Sequence, residues 1–399
     1  MASLFPSLVV PLALLLLPLS HSVTVVTHLP GLWPPSLPPR DRVSKASASS
    51  CKYVNVDEET GTELFYYFVE SERSPDTDPV VLWLTGGPHC SSLIFYEVGP
   101  MKFVLAPYNG SLPELAYTPD SWSKVASIIL LDSPVGTGFS YARDLESHRD
   151  VGDFSSTLHI VTFLNKWFID HPRYRSNPFF VGGSSYAGKM SPIIAQHISQ
   201  GNKLAAVRNC KGRYIRPRNT MCAMVLNTIE DVRFLLEHIL GVKCEHDLLR
   251  HRFLSEEYTQ QSELSTQQPA INCNAYRYYL SDIWANIDFT RYALGVKQGT
   301  IGEFKRCRKG MPYSFDAPSS IEYHFNLTRR GYRALVFSGD HDMWIPFLST
   351  HAWIRSFNFS IVDDWRAWHL GGQIYNHIRQ PYDICDIKGW WALSHRIST

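Results

Sequence analysis

This 399-residue chain has almost no excess of charge of either sign: 38 Lys and Arg stand against 37 Asp and Glu, a net charge of +1. Without a basic field there is nothing to hold a phosphate backbone, so nucleic acid is excluded as the partner. Charged residues are also few, at 19%, against 44% apolar and 13% aromatic, which excludes global disorder and provides for a sizeable core. No repeat of fixed period is present, so a solenoid is excluded. The eight cysteines form no C-x-x-C pair and no Cys/His cluster at zinc spacing. Neither a metal nor a cofactor is therefore expected. Beyond the N-terminus no apolar run reaches transmembrane length, and no membrane partner is expected.

The one long apolar run lies at the start. Leu8 to Leu19 reads LVVPLALLLLPL, is interrupted by Pro11 and Pro18, and is followed by the small residues Ser20 and Ser22. It reads as a secretory leader over residues 1–23, although Met1 to Ser7 lacks the usual basic residue. The mature chain, 24–399, is then expected in the secretory pathway, with an extracellular or vacuolar destination. An even cysteine count fits that route through disulfides. So do the N-x-S/T triplets at Asn109, Asn326 and Asn358, read as glycosylation sites.

Short apolar runs ending in tight turns recur along the chain. Leu64–Glu70, Val80–Leu84, Ile128–Leu131, Phe179–Val181 and Ala334–Phe337 read as strands. Helical patterns fall at Thr157–Asp170, Met190–Ser199 and Phe347–Arg355. Buried strands alternating with helices predict an α/β fold, a mostly parallel sheet covered on both faces. Ligand chemistry then belongs at the carboxyl ends of the strands. Residues of about 205–290, rich in Arg, Cys, Glu and Gln, read as a helical insertion.

Three strand-end motifs carry chemistry. Phe179 to Gly188, FFVGGSSYAG, reads as strand, sharp turn and helix with Ser185 at the tip, a nucleophile elbow. Its serine would stand at a helix N-terminus, where backbone N–H groups stabilise an oxyanion. Thr85-Gly86-Gly87-Pro88 follows an earlier strand, and its glycines can supply a second bare N–H. Gly339 to Pro346, GDHDMWIP, offers an acid to orient a histidine in the order Ser, Asp, His. Singly, each is also explained by an ordinary turn or cap.

Taken together these stretches resemble the serine carboxypeptidase family of α/β-hydrolases, and within it the plant carboxypeptidase-like branch that includes glucose-ester acyltransferases. The resemblance rests on LWLTGGPHCSS, LLDSPVGTGFSYA, FFVGGSSYAGK, CKGRYIRPRNTMC, FSGDHDMWIPFLSTHAWIRS and SIVDDWRAWHLGGQI. It implies Ser185 as nucleophile, Asp342 as orienting acid, and the Gly87 and Tyr186 N–H groups as the oxyanion hole. It also implies disulfides Cys90–Cys307, Cys210–Cys222 and Cys244–Cys273, leaving Cys51 and Cys385 without partners. Family peptidases hold the substrate carboxylate with an Asn before the two glycines and a Glu before the serine. Here those positions are Thr85 and Ser184, beside Gly86, with Glu97 a loose match to a further carboxylate-binding acid. Peptide and 1-O-acylglucose ester therefore both stand as substrate classes, through the same acyl-serine.

The departures from that pattern predict a defective or non-catalytic member as the third reading. His89 stands where the family has Gly, at an expected strain of about 1 kcal/mol if the position needs positive φ. A core-strand block is missing between Gln200 and Arg208, which predicts an interrupted sheet with exposed edges. The triad histidine is the largest gap. His351, His369 and His377 lack the expected context, and His395, the remaining candidate, has only four residues after it. Under permitted codons, Tyr382 to Leu393 shifted by one base reads Met-Thr-Tyr-Ala-Thr-Ser-Lys-Gly-Gly-Gly-His, the family's histidine context. The same shift makes Trp33 to Val43 family-like. The expectation is that both segments are read out of frame.

Overall fold

The structure is a computed structural model that describes residues 24–26, 29–32, 49–93, 95–143, 151–200, 269, 271, 274–339, 342, 345–359, 369–370, 373–374 and 390–393. Its main sheet has six strands: β1 (Thr24–Val26), β2 (Ser49–Asp57), β3 (Thr62–Val69), β4 (Val80–Leu84), β7 (Ser127–Leu131) and β8 (Phe179–Gly183). Their order is β1-β2-β3-β7-β4-β8. The β1/β2, β2/β3 and β3/β7 pairs are antiparallel, whereas β4 lies parallel to both β7 and β8. A small antiparallel ribbon, β5 (Met101–Phe103) with β6 (Leu115–Tyr117), stands apart.

The period of two along each strand divides the core into two layers. Phe65, Tyr67, Val81, Trp83, Ile128 and Leu130 enter one cluster. Their neighbours Leu64, Tyr66, Leu82, Leu84, Ile129 and Leu131 enter the other. Strands β4 and β7 are buried at every position, VVLWL and SIILL, as a strand covered on both faces must be. The second layer is closed by α1 (Asp153–Asp170), through Ile160, Phe163, Leu164 and Trp167, and by α2 (Tyr186–Gln200), through Ala187, Met190 and Ile194. The first is closed by α3 (Asn274–Asn286), through Tyr276, Leu280 and Trp284. The mixed sheet with helices on both faces is thus the α/β architecture expected. Of the proposed insertion, α3 and the start of α4 (Asp288–Ala293) are described; Gly201 to Gln268 lies outside the described residues.

Beyond β8 the ladder stops among the described residues. After α5 (Ile321–Arg329), strand β9 (Val336–Gly339) runs toward the third motif, which leads into α6 (Phe347–Arg355). β9 pairs not with β8 but with β12 (Trp390–Leu393), in a separate antiparallel ribbon. β10 (His369–Leu370) and β11 (Gln373–Ile374) form another. β8 pays in exposure: Phe180 is 41% exposed, while no residue of β4 rises above the buried class. Leu335, just before β9, is 64% exposed. The segment after Gln200, where the interruption of the sheet is expected, lies outside the described residues.

Candidate functional site

The carboxyl ends of β4 and β8 converge, and glycine is what permits it. A Cβ on Gly183 would lie 2.6 Å from the Ala187 Cβ and 2.6 Å from the Leu84 carbonyl oxygen, so strand, helix and neighbouring strand meet without room for a side chain. A Cβ on Gly86 would lie 2.7 Å from the Ser185 Cβ and 2.9 Å from the Tyr186 nitrogen. The Thr85–Pro88 turn is therefore pressed directly on the elbow. Ser185 is exposed and sits at φ 53°, the left-handed region that a non-glycine residue occupies at a cost of about 1–3 kcal/mol. The Ala187 and Gly188 N–H groups turn back to the Ser184 and Ser185 carbonyls at 3.1 and 2.9 Å. The Tyr186 N–H takes no part in that turn and stands at the first position of α2, close to Gly86, which the exposed Gly87 follows. Gly87 has φ 132°.

The remaining site residues assemble around this pair. Glu97, exposed and at φ 53°, accepts a hydrogen bond from Ser184 Oγ at 2.7 Å and another from the Trp83 indole N–H. The Thr85 N–H donates to Ser92 Oγ at 3.0 Å. Thr85, Gly86, Gly87, Glu97, Ser184, Ser185 and Tyr186 are thus brought into one place. The Cys90–Cys307 disulfide ties the same turn to a segment 217 residues later. Cys210, Cys222, Cys244, Cys273 and Cys385 lie outside the described residues, and Cys51 is a buried free thiol whose ionisation is pushed up by burial.

Two buried acids hold the turn and the elbow from beneath, and the motifs did not reveal either role. Asp132, at the end of β7, is fully buried. Its Oδ1 accepts from Ser91 Oγ at 2.6 Å and the Ser92 N–H at 3.1 Å, and its Oδ2 from the Phe139 N–H at 3.0 Å. Burial outweighs these bonds and raises its pKa to about 6. Asp153, also fully buried, accepts from the Tyr186 hydroxyl, from Tyr313 OH at 2.9 Å, from the Ala317 N–H at 2.9 Å and from Lys189 Nζ at 3.1 Å. Burial, then Asp153, drives the Tyr186 phenol upward. The signal for Asp132 was present in the sequence as a lone acid closing an apolar strand.

The strain expected at His89 is absent. The non-glycine residues at positive φ among those described are Glu97, Ser185 and Asn358. His89 instead buries its ring against Tyr313, centroids 5.3 Å apart. The expected triad acid is described, whereas the expected base, His395, lies outside the described residues. Asp342 is exposed, and its Oδ1 accepts the Ile345 N–H at 3.1 Å. β12 pairs Trp390 with Gly339 and Leu393 with Val336, so at Leu393 the chain runs away from the Asp342 end of β9. His395 and His377 lie outside the described residues, His351 lies within α6, and His369 opens β10. Of the glycosylation candidates, Asn109 and Asn358 are exposed and Asn326 is half-buried within α5.

Comparison with known proteins supplies a family for this geometry. A family profile described as "Serine carboxypeptidase" matches residues 39–241 and 207–387. "Serine carboxypeptidase-like 3" of Arabidopsis thaliana is 38% identical over 405 residues, covering 90% of this chain and 85% of that protein. "Serine carboxypeptidase-like 7" of the same plant is 38% identical over 374 residues, covering 82% and 81%. Among solved structures, the prohormone-processing carboxypeptidase Kex1(delta)p of Saccharomyces cerevisiae superposes with a TM-score of 0.58 at 19% identity, covering 90% of this chain and 84% of that one, which extends to the α/β-hydrolase fold.

Proposed function

The chain belongs to the serine carboxypeptidase family, and from that premise we propose that Ser185 is the nucleophile that takes an acyl group from a peptide. Ser185 Oγ would pass its proton to a base, for which His395 oriented by Asp342 is the candidate, and attack the carbonyl carbon while the Gly87 and Tyr186 N–H groups receive the developing oxyanion; collapse then breaks the peptide C–N bond and the C-terminal amino acid leaves with that proton. The single observation that carries this reading is the strained elbow: Ser185 at φ 53°, exposed, with Gly86 pressed on its Cβ. Glu97 and Ser184 then line the leaving-group side, with Thr85 at the turn. The same acyl-serine would serve an acyltransferase working from 1-O-glucose esters. A fluorophosphonate probe tests the assignment: it should modify Ser185, and modification of Ser92 or Ser133 instead would overturn it. Competition between blocked dipeptides and 1-O-acylglucose esters separates the two substrate classes.

A second reading is supported by the exposure of Asp342 and the direction of β12. In it the chain binds substrate at the elbow but lacks a general base, because the histidine is encoded in the next frame and not translated. Loss of the base lowers acylation by several orders of magnitude while leaving oxyanion-hole and binding contributions in place. Robust ester hydrolysis by the 399-residue chain, abolished by His395→Ala, would refute it and assign His395 the role. We further propose removal of residues 1–23, entry into the secretory route and glycosylation at Asn109, Asn326 and Asn358; recovery of unprocessed, unglycosylated chain from cytosol would contradict this.

A further inference from the structure

We infer that residues 313–317 form a pH-sensitive strap across the elbow, held down while Asp316 carries a proton and loosened when Asp316 ionises. The inference concerns the fold around the elbow and stands independently of the chemistry assigned to Ser185.

These residues, YSFDA, lie in the connection between α4 and α5, yet they reach the turn, the elbow and the start of α1. The Tyr186 ring meets Tyr313 and Phe315 at centroid distances of 6.0 and 5.6 Å, and Tyr313 meets the His89 ring on the turn. Backbone bonds fix the segment to α1. The Ser314 N–H donates to the Val151 carbonyl at 2.8 Å, and the Asp153 N–H to the Ser314 carbonyl at 3.2 Å. The Ala317 N–H donates to Asp153 Oδ2 at 2.9 Å, and Asp316 Oδ1 accepts the Phe154 N–H at 3.2 Å. Such close contact requires glycine at 152, where a Cβ would lie 2.8 Å from the Ser314 carbonyl oxygen and 2.9 Å from Asp316 Oδ2. Phe315 is 49% exposed while Asp316 is 7% exposed, so a surface segment is pinned by one buried acid.

One helix end and one cation serve two carboxylates here. Asp153 has Lys189 at 3.1 Å, together with the Tyr186 and Tyr313 hydroxyls. Asp316 meets no cation among the described residues, and its Oδ2 is buried without a donor. The Asp153 N–H, which also lies near that carboxyl, is committed to the Ser314 carbonyl. The titratable groups that face Asp316 are Asp153 from α1, Tyr186 from α2 and Tyr323 from α5, none of them a cation. An ionised Asp316 therefore sets a second buried negative charge beside Asp153, whereas the protonated carboxyl keeps the Phe154 bond and turns its other oxygen from a bare acceptor into a donor. Burial first, and Asp153 in addition, outweigh the Phe154 bond and raise its pKa from 3.8 to about 6. A released strap returns the carboxyl to water, so the proton-linked hold is complete below pH 3.8 and is lost as pH rises through about 6. His89, on the far side of Tyr313, would act in the opposite sense, because its charge appears as pH falls.

The test uses the full chain and needs no turnover. Hydrogen exchange is followed by mass spectrometry at pH 5 and 7.5, over peptides covering residues 151–155 and 313–317, and corrected for the intrinsic pH dependence of exchange. Protection in both peptides should fall by about 10-fold between the two pH values, the change in hold expected for a carboxyl raised to about 6. Asp316→Asn keeps the shape and the acceptor for the Phe154 N–H but cannot ionise, so its protection in these peptides should lose that fall. Asp316→Ala, which gives up the Phe154 bond as well, should be less protected at pH 5 and equally free of the fall. Equal protection of the native chain at both pH values overturns the inference without recourse to any variant. The same fall in Asp316→Asn or Asp316→Ala also overturns it, since the titrating group would then lie elsewhere.

Discussion

The contribution of Asp132 to the stability of this protein should rise as pH falls from neutrality toward about 4.5, and comparison with Asp132→Asn isolates it. Its carboxyl is fully buried, meets three donors, and has its pKa raised from 3.8 to about 6 because burial outweighs those bonds. A raised acid binds its proton more tightly folded than unfolded. Its stabilising contribution is therefore complete below pH 3.8 and is lost as pH rises through about 6. A shift of that size corresponds to about 3 kcal/mol across the window. Asp282 and Asp316 are raised in the same direction, first by burial, and add to the slope. His324, lowered by burial to about 4, opposes it in the same window, as do His159, His171 and His197, also lowered by burial, so the Asp132 share is read as the difference between the native chain and Asp132→Asn. Asp78 opposes it only at lower pH: held down to about 2 by Arg73, it contributes above 3.8 and loses that contribution as pH falls through 2. Urea unfolding at pH 4.5, 5.5 and 7 measures the slope directly. Asp132→Asn cannot take up a proton, so it should flatten the slope. It should also lose stability at pH 4.5, because the amide presents its own N–H group toward the Phe139 N–H. An unchanged slope in Asp132→Asn would refute the reasoning.

Three further perturbations test the site and its supports. Gly86→Ala places a methyl 2.7 Å from the Ser185 Cβ and 2.9 Å from the Tyr186 nitrogen, and neither backbone can yield. It should cost about 1–3 kcal/mol by overpacking and slow fluorophosphonate labelling of Ser185 by about 100-fold, read from thermal unfolding and labelling kinetics. Cys90→Ala with Cys307→Ala opens a loop of 217 residues and should lower unfolding free energy by about 2–5 kcal/mol in denaturant titration. Sequencing the coding DNA should find Gly-Gly-Gly-His in the frame one base from Lys388 to Leu393; its absence there ends the frame reading.

By itself the sequence determined the layers and the elbow. Strands such as VVLWL and SIILL can only be central, because every position but Ser127 is apolar and a half-exposed strand would alternate. The elbow was legible because its chemistry needs residues that little else needs together: Gly183 and Ala187 for close approach, and Ser185 at the tip. The Cys90–Cys307 pairing implied by resemblance also stands in the fold. The tertiary structure decided what depends on partners distant in the chain. His89 looked strained as a substitution for glycine, yet its backbone stays outside the left-handed region and its ring finds Tyr313 more than 200 residues away. Asp132 and Asp153 had no role legible in local pattern, although Asp132 lies within LLDSPVGTGFSYA; only folding gathers around each a set of donors from separate turns and helices. Local pattern fixes what a segment of backbone can be, because that follows from neighbours in sequence. The environment of a charge is set by whatever the fold brings within a few ångströms, and that is decided by the packing of the whole chain.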